Sequence, residues 1–89
     1  MSVPGVVWPA SARWDGTGVL SVAGVDLRAL AAEHGTPAYV LDESDLRARA
    51  RAWRDAWADA FGGGTSVYYA GKAFLSVAVA RWGAEEGLR

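Results

Sequence analysis

The stretch SVYYAGKAF, residues 66–74, holds the single lysine of a chain whose eight other strong bases are all arginine. Val67–Gly71 is β-branched and aromatic and has no charge before Lys72, a composition typical of a strand. The apolar run that follows predicts a helix from Ala73 to Glu86, ended by Gly87. Lys72 would then lie at the carboxyl end of a strand, the edge where α/β sheets and (β/α)₈ barrels bind ligands.

An amphipathic helix is predicted before this stretch. Its apolar residues recur at spacings of four, three, four and four, which places one stripe along the helix: Leu46, Ala50, Trp53, Trp57 and Phe61. The acidic segment Asp42–Asp45 supplies a cap and suits the positive end of the helix dipole. We expect the two tryptophans of the stripe to pack in the core and Arg51 to pair with Asp55.

Shorter elements are predicted nearer the N-terminus. Val19–Val25, between glycines, favours a strand or hairpin. Asp26 can cap a helix over Leu27–His34, and Gly35 ends it. Ala38–Leu41 is a candidate buried strand. The alternation of strands and helices from there on indicates an α/β fold with a parallel sheet.

Composition excludes several classes of function. The chain has 89 residues, enough for one small domain or part of a larger one. With no cysteine and one histidine, neither disulfides nor a metal site are expected. A net charge of −1 without a basic patch argues against nucleic-acid binding. No apolar run reaches membrane-spanning length and no signal peptide is evident, so a cytoplasmic location and no membrane association are expected.

Lys72 allows several chemistries. A phosphate-binding P-loop is excluded, because that motif needs glycine where Ser66 stands and serine or threonine where Ala73 stands. A solvated surface charge, a general base and an imine-forming amine remain open. Arginine cannot replace lysine in the last role, because its guanidinium stays protonated.

Three other features are expected to have structural roles only. His34 would lie at a helix end, where it interacts with the dipole. Tyr69 would pack between the strand and a helix. Glu85 and Glu86 would form a solvated helix end.

Two motifs, in this order and at this separation, resemble one family. GTPAYVLD at residues 35–42 and YAGKA at residues 69–73, followed by EEG at residues 85–87, are similar to the N-terminal part of diaminopimelate decarboxylases. These are alanine-racemase-like, fold-type III enzymes that use pyridoxal 5'-phosphate (PLP). The resemblance covers about residues 14–89. It implies that Lys72 binds PLP as a Schiff base and is the catalytic lysine.

The resemblance also implies a fold class and a reaction. The fold would be α/β, an N-terminal fragment of a PLP-binding (β/α)₈ barrel with a leading β-domain segment. Residues 1–41 would belong to the β-domain side, and residues 42–89 would form the first helix, strand and helix of the barrel. The reaction would convert the small amino-acid substrate meso-diaminopimelate to L-lysine and CO₂, in a homodimeric enzyme of lysine biosynthesis.

Two alternatives accompany this interpretation. One is another fold-type III enzyme, such as an arginine or ornithine decarboxylase or a racemase. The other is an inactive, truncated remnant. Enzymes of the family are several times longer, and their partners for the PLP phosphate and pyridine nitrogen have no counterpart in this sequence. We therefore expect the 89-residue chain to be inactive by itself.

Overall fold

The protein is a small mixed α/β structure in a computed structural model that describes residues 7–89. Its elements, in chain order, are β1 (Arg13–Trp14), β2 (Leu20–Val22), β3 (Val25–Asp26), α1 (Leu27–His34), α2 (Glu43–Phe61) and α3 (Val77–Glu85). The chain forms two compact units, of which the first ends at Asp45 and the second spans Leu46–Arg89. Within the described range, every helix is too short or too polar to cross a membrane.

The sheet of the first unit is three-stranded and antiparallel, in the order β1-β2-β3. Val22 pairs with Val25 across a two-residue turn, Ala23-Gly24, whose φ angles are 53° and 77°. Two positive φ angles are what a tight hairpin turn needs to match the twist of its strands. The hairpin predicted over Val19–Val25 is confirmed. A parallel sheet was expected, but the strands assigned within residues 7–89 all belong to this antiparallel sheet.

A carboxylate orders the turn between β1 and β2. Asp15 accepts hydrogen bonds from the backbone N–H groups of Thr17 at 2.7 Å and Val19 at 2.9 Å. It also accepts one from the Thr17 hydroxyl at 2.8 Å. These bonds, that from the Val19 N–H foremost, lower the pKa of Asp15. Such a turn holds the two strands in register.

Helix α1 has the predicted bounds and caps. The Asp26 carboxylate accepts from the N–H groups of Arg28 and Ala29, at 2.7 and 3.2 Å. Gly35 ends the helix at φ 84°, and its N–H bonds to the Ala31 carbonyl at 2.7 Å. Both ends are therefore satisfied by residues within the local sequence.

The strand predicted over Ala38–Leu41 is wrong. These residues have no regular secondary structure, and the Tyr39 side chain is 92% exposed. Such a short segment becomes a strand only when a neighbouring strand completes its hydrogen-bond ladder. The strands assigned in residues 7–89 instead pair with one another in the sheet β1–β3.

Asp42 caps helix α2, where the sequence offers Asp42 or Ser44 as the cap. Oδ1 of Asp42 accepts from the Asp45 N–H at 3.1 Å, and its Oδ2 accepts from the Ser11 hydroxyl. Ser11 Oγ in turn accepts from the Ala23 N–H at 2.8 Å, which links the cap to the hairpin turn. Asp42 is buried, and the hydrogen bond from Ser11 lowers its pKa. The helix ends at Phe61, where Gly62 has φ 89°.

Helix α3 starts later than predicted. Ser76 caps it by accepting from the Val79 N–H at 3.2 Å, so that residues 73–75 lie outside the helix. At its other end, the Leu88 N–H bonds to the Gly83 carbonyl and the Gly87 N–H to the Ala84 carbonyl, at 2.9 and 3.0 Å. With Gly87 at φ 87°, this is a Schellman motif, and the predicted stop at Gly87 is confirmed.

In residues 7–89 the buried apolar side chains are few and mostly small: Ala12, Val19, Val22, Ala50 and Val79. The predicted core positions of Trp53 and Trp57 are wrong for this chain, because the two residues are 60% and 42% exposed. Burying an indole takes neighbours on several sides. Trp57 instead stacks on Phe61, with ring centroids 4.9 Å apart.

The hairpin turn generates a stability prediction. Ala23 has the left-handed backbone conformation. This conformation costs a residue with a Cβ about 1 kcal/mol, and after glycine asparagine adopts it most readily. We expect Ala23→Asn to raise the free energy of unfolding by up to about 1 kcal/mol, measured by urea titration with circular dichroism. Ala23→Val is the matched control and should lower it. Equal losses in both variants would contradict the turn geometry.

Candidate active site

The extended segment before Lys72 is paired through its backbone to Arg89. The Arg89 N–H donates to the Val67 carbonyl at 2.9 Å, and the Tyr69 N–H donates to the Arg89 carbonyl at 2.7 Å. Arg89 thus bonds to the residues before and after Tyr68, once as donor and once as acceptor. This is the hydrogen-bond pattern of parallel strands. The structure assigns no strand to the predicted range Val67–Gly71. Only Val67–Tyr69 is paired, through the two hydrogen bonds to Arg89.

Lys72 lies in a turn rather than at the end of a strand. The Ala73 N–H donates to the Ala70 carbonyl at 3.1 Å, which closes a β-turn with Gly71 and Lys72 at its centre. The Lys72 side chain is exposed. Within residues 7–89 its ammonium group makes neither an ion pair nor a hydrogen bond. An amine without a counter-ion is accessible to a carbonyl compound once it loses its proton.

Tyr69 spans the loop that carries Lys72. Its hydroxyl donates to the backbone carbonyl of Phe74, while its own N–H is paired with Arg89. The ring is partly exposed, at 38%. We predicted only packing for Tyr69, and its hydrogen bond was missed. The spacing of five residues between donor and acceptor gives no recognisable signal in the sequence.

Arginines on helix α2 bind the end of helix α3. Arg47 donates to Glu85 Oε2 at 2.8 Å and to Glu86 Oε2 at 3.1 Å, and Arg51 donates to Glu86 Oε2 at 3.1 Å. Arg54 donates to the backbone carbonyl of Glu86 at 3.0 Å. We call these five residues the Arg–Glu cluster. The guanidinium groups of Arg47 and then Arg51 lower the pKa of Glu86.

The cluster corrects two predictions. Glu86 is not a solvated helix end, because its side chain is only 13% exposed. Arg51 pairs with Glu86 rather than with Asp55, and Asp55 is bound by Arg54 Nε at 2.9 Å. The arginines at positions 47, 51 and 54 follow the helical spacing i, i+4, i+7, which places them on one face. That spacing was the signal available in the sequence.

The cluster fixes the segment that leads to Arg89. Glu86 is followed directly by Gly87, and a Cβ at Gly87 would lie 3.2 Å from Cδ of Arg54. Glycine is therefore favoured there by close approach as well as by its positive φ. From Gly87 the chain continues to Arg89, which pairs with Val67 and Tyr69. The Arg–Glu cluster thus positions, through three residues, the backbone beside the Lys72 loop.

An apolar groove of about 640 Å³ lies along the extended segment in the second unit. Its walls include Trp53 and Trp57 from α2 and Tyr68 and Tyr69 from the segment. Lys72 does not line it. His34 lies at the end of α1, as predicted, and is exposed. Residues 7–89 contain no group of three His, Cys, Asp or Glu side chains that could hold a metal ion.

The chain was compared with family models and with individual known proteins. A scan of family models finds no match. The chain is 55% identical over 86 residues to a diaminopimelate decarboxylase of Corynebacterium efficiens, a match over 97% of this chain and 18% of that protein. It is 51% identical over 82 residues to the enzyme of that name from Mycobacterium tuberculosis, and 42% identical over 78 residues to that from Bacillus subtilis. The chain spans less than a fifth of the length of these relatives.

The Arg–Glu cluster predicts a pH-dependent stability. Because the folded-state pKa of Glu86 lies below its ordinary value of 4.5, the carboxylate stabilises the fold above that pH. This contribution is lost as the pH falls through the folded-state pKa. We expect Glu86→Gln to lower the free energy of unfolding at pH 7, and this loss to become smaller as the pH falls below 4.5, measured by urea titration at several pH values.

The matched control is Glu85→Gln. Glu85 is more exposed, at 49%, and within residues 7–89 only Arg47 binds its carboxylate. Glu85→Gln should therefore lower the free energy of unfolding at pH 7 by less than Glu86→Gln does, because exposed ion pairs contribute little. An effect of Glu86→Gln that does not decline as the pH falls below 4.5 would show that the charge of Glu86 does not stabilise the cluster.

Proposed function

The chain is a homologue of the diaminopimelate decarboxylases over nearly its whole length, and we propose that it forms the N-terminal part of such an enzyme. The observation that carries the proposal is the identity of 55% over 97% of the chain. The whole enzyme would be a PLP-dependent carboxy-lyase that converts meso-diaminopimelate to L-lysine and CO₂. It would act in the cytoplasm as a homodimer.

Lys72 is the residue that would bind the cofactor. Its amine is exposed, has no partner within residues 7–89, and is the only lysine side chain available for attachment to an aldehyde. These properties fit covalent binding of PLP through Nζ, once that atom has lost its proton. When bound, PLP supplies a ring that accepts the electron pair left by the departing carboxylate. Released from the cofactor, the Lys72 amine would accept or donate a proton at Nζ.

The fold of the second unit supports a barrel. Parallel strands need a crossover connection, usually a helix. Val67–Tyr69, helix α3 and Arg89 follow one another in that order, and the first and last are paired in parallel. We propose that residues 42–89 form the first helix, strand and helix of a (β/α)₈ barrel, and that residues 1–41 belong to the β-domain side.

A hybrid enzyme tests this function. The chain replaces the 86 matched residues of the Corynebacterium efficiens relative, so that the rest of that protein completes the enzyme. We expect the hybrid to bind PLP and to release CO₂ from meso-diaminopimelate. Lys72→Arg keeps the positive charge but cannot attach the cofactor, and should lower kcat by at least about a hundredfold. The 89-residue chain alone should release no CO₂.

Two results would contradict the proposal. A Lys72→Arg hybrid with undiminished kcat would show that Lys72 does not hold the cofactor. A hybrid that folds and binds PLP but does not release CO₂ from meso-diaminopimelate would show that the chain cannot serve as the N-terminal part of this enzyme.

A further inference from the structure

The loop between Tyr69 and Phe74 is closed by hydrogen bonds at both of its ends. At the first end, the Tyr69 N–H is bonded to the Arg89 carbonyl. At the other end, the Tyr69 hydroxyl is bonded to the Phe74 carbonyl. One residue therefore anchors both ends of a loop at whose centre Lys72 lies.

We propose that Tyr69 is a positioning residue for Lys72, acting through the hydrogen bond from its hydroxyl to the Phe74 carbonyl. Inside the loop, the Ala73 N–H bond to Ala70 restrains the turn. Helix α3 begins only at Val77, after its Ser76 cap, so helical hydrogen bonding does not hold residues 73–75. The Tyr69 hydroxyl thus reduces the number of conformations in which the loop can present the Lys72 amine.

The chain contains its own control for this role. Tyr68 is the neighbouring residue and has the same side chain, but it is 74% exposed. Its hydroxyl makes no hydrogen bond within residues 7–89. Tyr68→Phe and Tyr69→Phe both remove one hydroxyl and keep the ring. They differ in whether a hydrogen bond across the Lys72 loop is lost.

Amide hydrogen exchange in the 89-residue chain, followed by NMR, tests the contact directly. We expect Tyr69→Phe to speed exchange of the Ala73 N–H by about 2- to 10-fold, because that is the effect of losing one hydrogen bond. Tyr68→Phe should leave that rate unchanged. The Leu88 N–H, bonded to Gly83, reports the stability of the α3 end and should be unaffected in both variants.

Two exchange results would overturn the inference. One is an Ala73 rate that is the same in the two variants. The other is a rise at Leu88 equal to that at Ala73, which would show general destabilisation of the second unit rather than a loosened loop.

The hybrid enzyme tests the consequence for Lys72, and this step rests on the proposed function. In the hybrid, Tyr69→Phe should lower kcat per bound PLP by about 2- to 10-fold and leave KM unchanged. Counting bound PLP removes the effect of misfolded protein. An unchanged kcat, in a hybrid that depends on Lys72, would overturn the positioning role. If Lys72→Arg retains activity, the proposed function fails, and the exchange experiment alone decides on the Tyr69 contact.

Discussion

The ion pairs of Glu86 with Arg47 and Arg51 are the interaction on which the second unit depends. They bind the end of α3 to α2, and Arg54 adds a hydrogen bond to the Glu86 carbonyl. The Schellman motif at Gly87 then turns the chain toward Arg89, whose backbone pairs with Val67–Tyr69. Among residues 7–89 few apolar side chains are buried, so these polar contacts help to order the backbone beside the Lys72 loop.

Local chemistry could be predicted from the sequence, whereas contacts between distant residues could not. The caps at Asp26 and Asp42, the stops at Gly35 and Gly87 and the hairpin at Ala23-Gly24 all depend on a few neighbouring residues. The strand at Ala38–Leu41 needed a partner strand that local sequence does not specify. The tryptophans of α2 needed neighbours on several sides, and the ion pairs of Glu86 join residues more than thirty positions apart.

The candidate site shows the same division. Composition singled out Lys72, because it is the only lysine. Its place in a β-turn, three residues after the paired segment, and the Tyr69 hydrogen bond across the loop follow from backbone geometry. In the enzyme that we propose, the Lys72 amine would be one part of the active site, and the rest of the barrel would complete that site.

Val67–Tyr69 and Arg89 pair in parallel and so set the position of the Lys72 loop. NMR scalar couplings across hydrogen bonds test this most directly in the isotopically labelled chain. We expect a coupling between the Arg89 amide nitrogen and the Val67 carbonyl carbon, and another between the Tyr69 amide nitrogen and the Arg89 carbonyl carbon. Absence of both couplings, with rapid exchange of the Arg89 and Tyr69 amides, would contradict the parallel pairing.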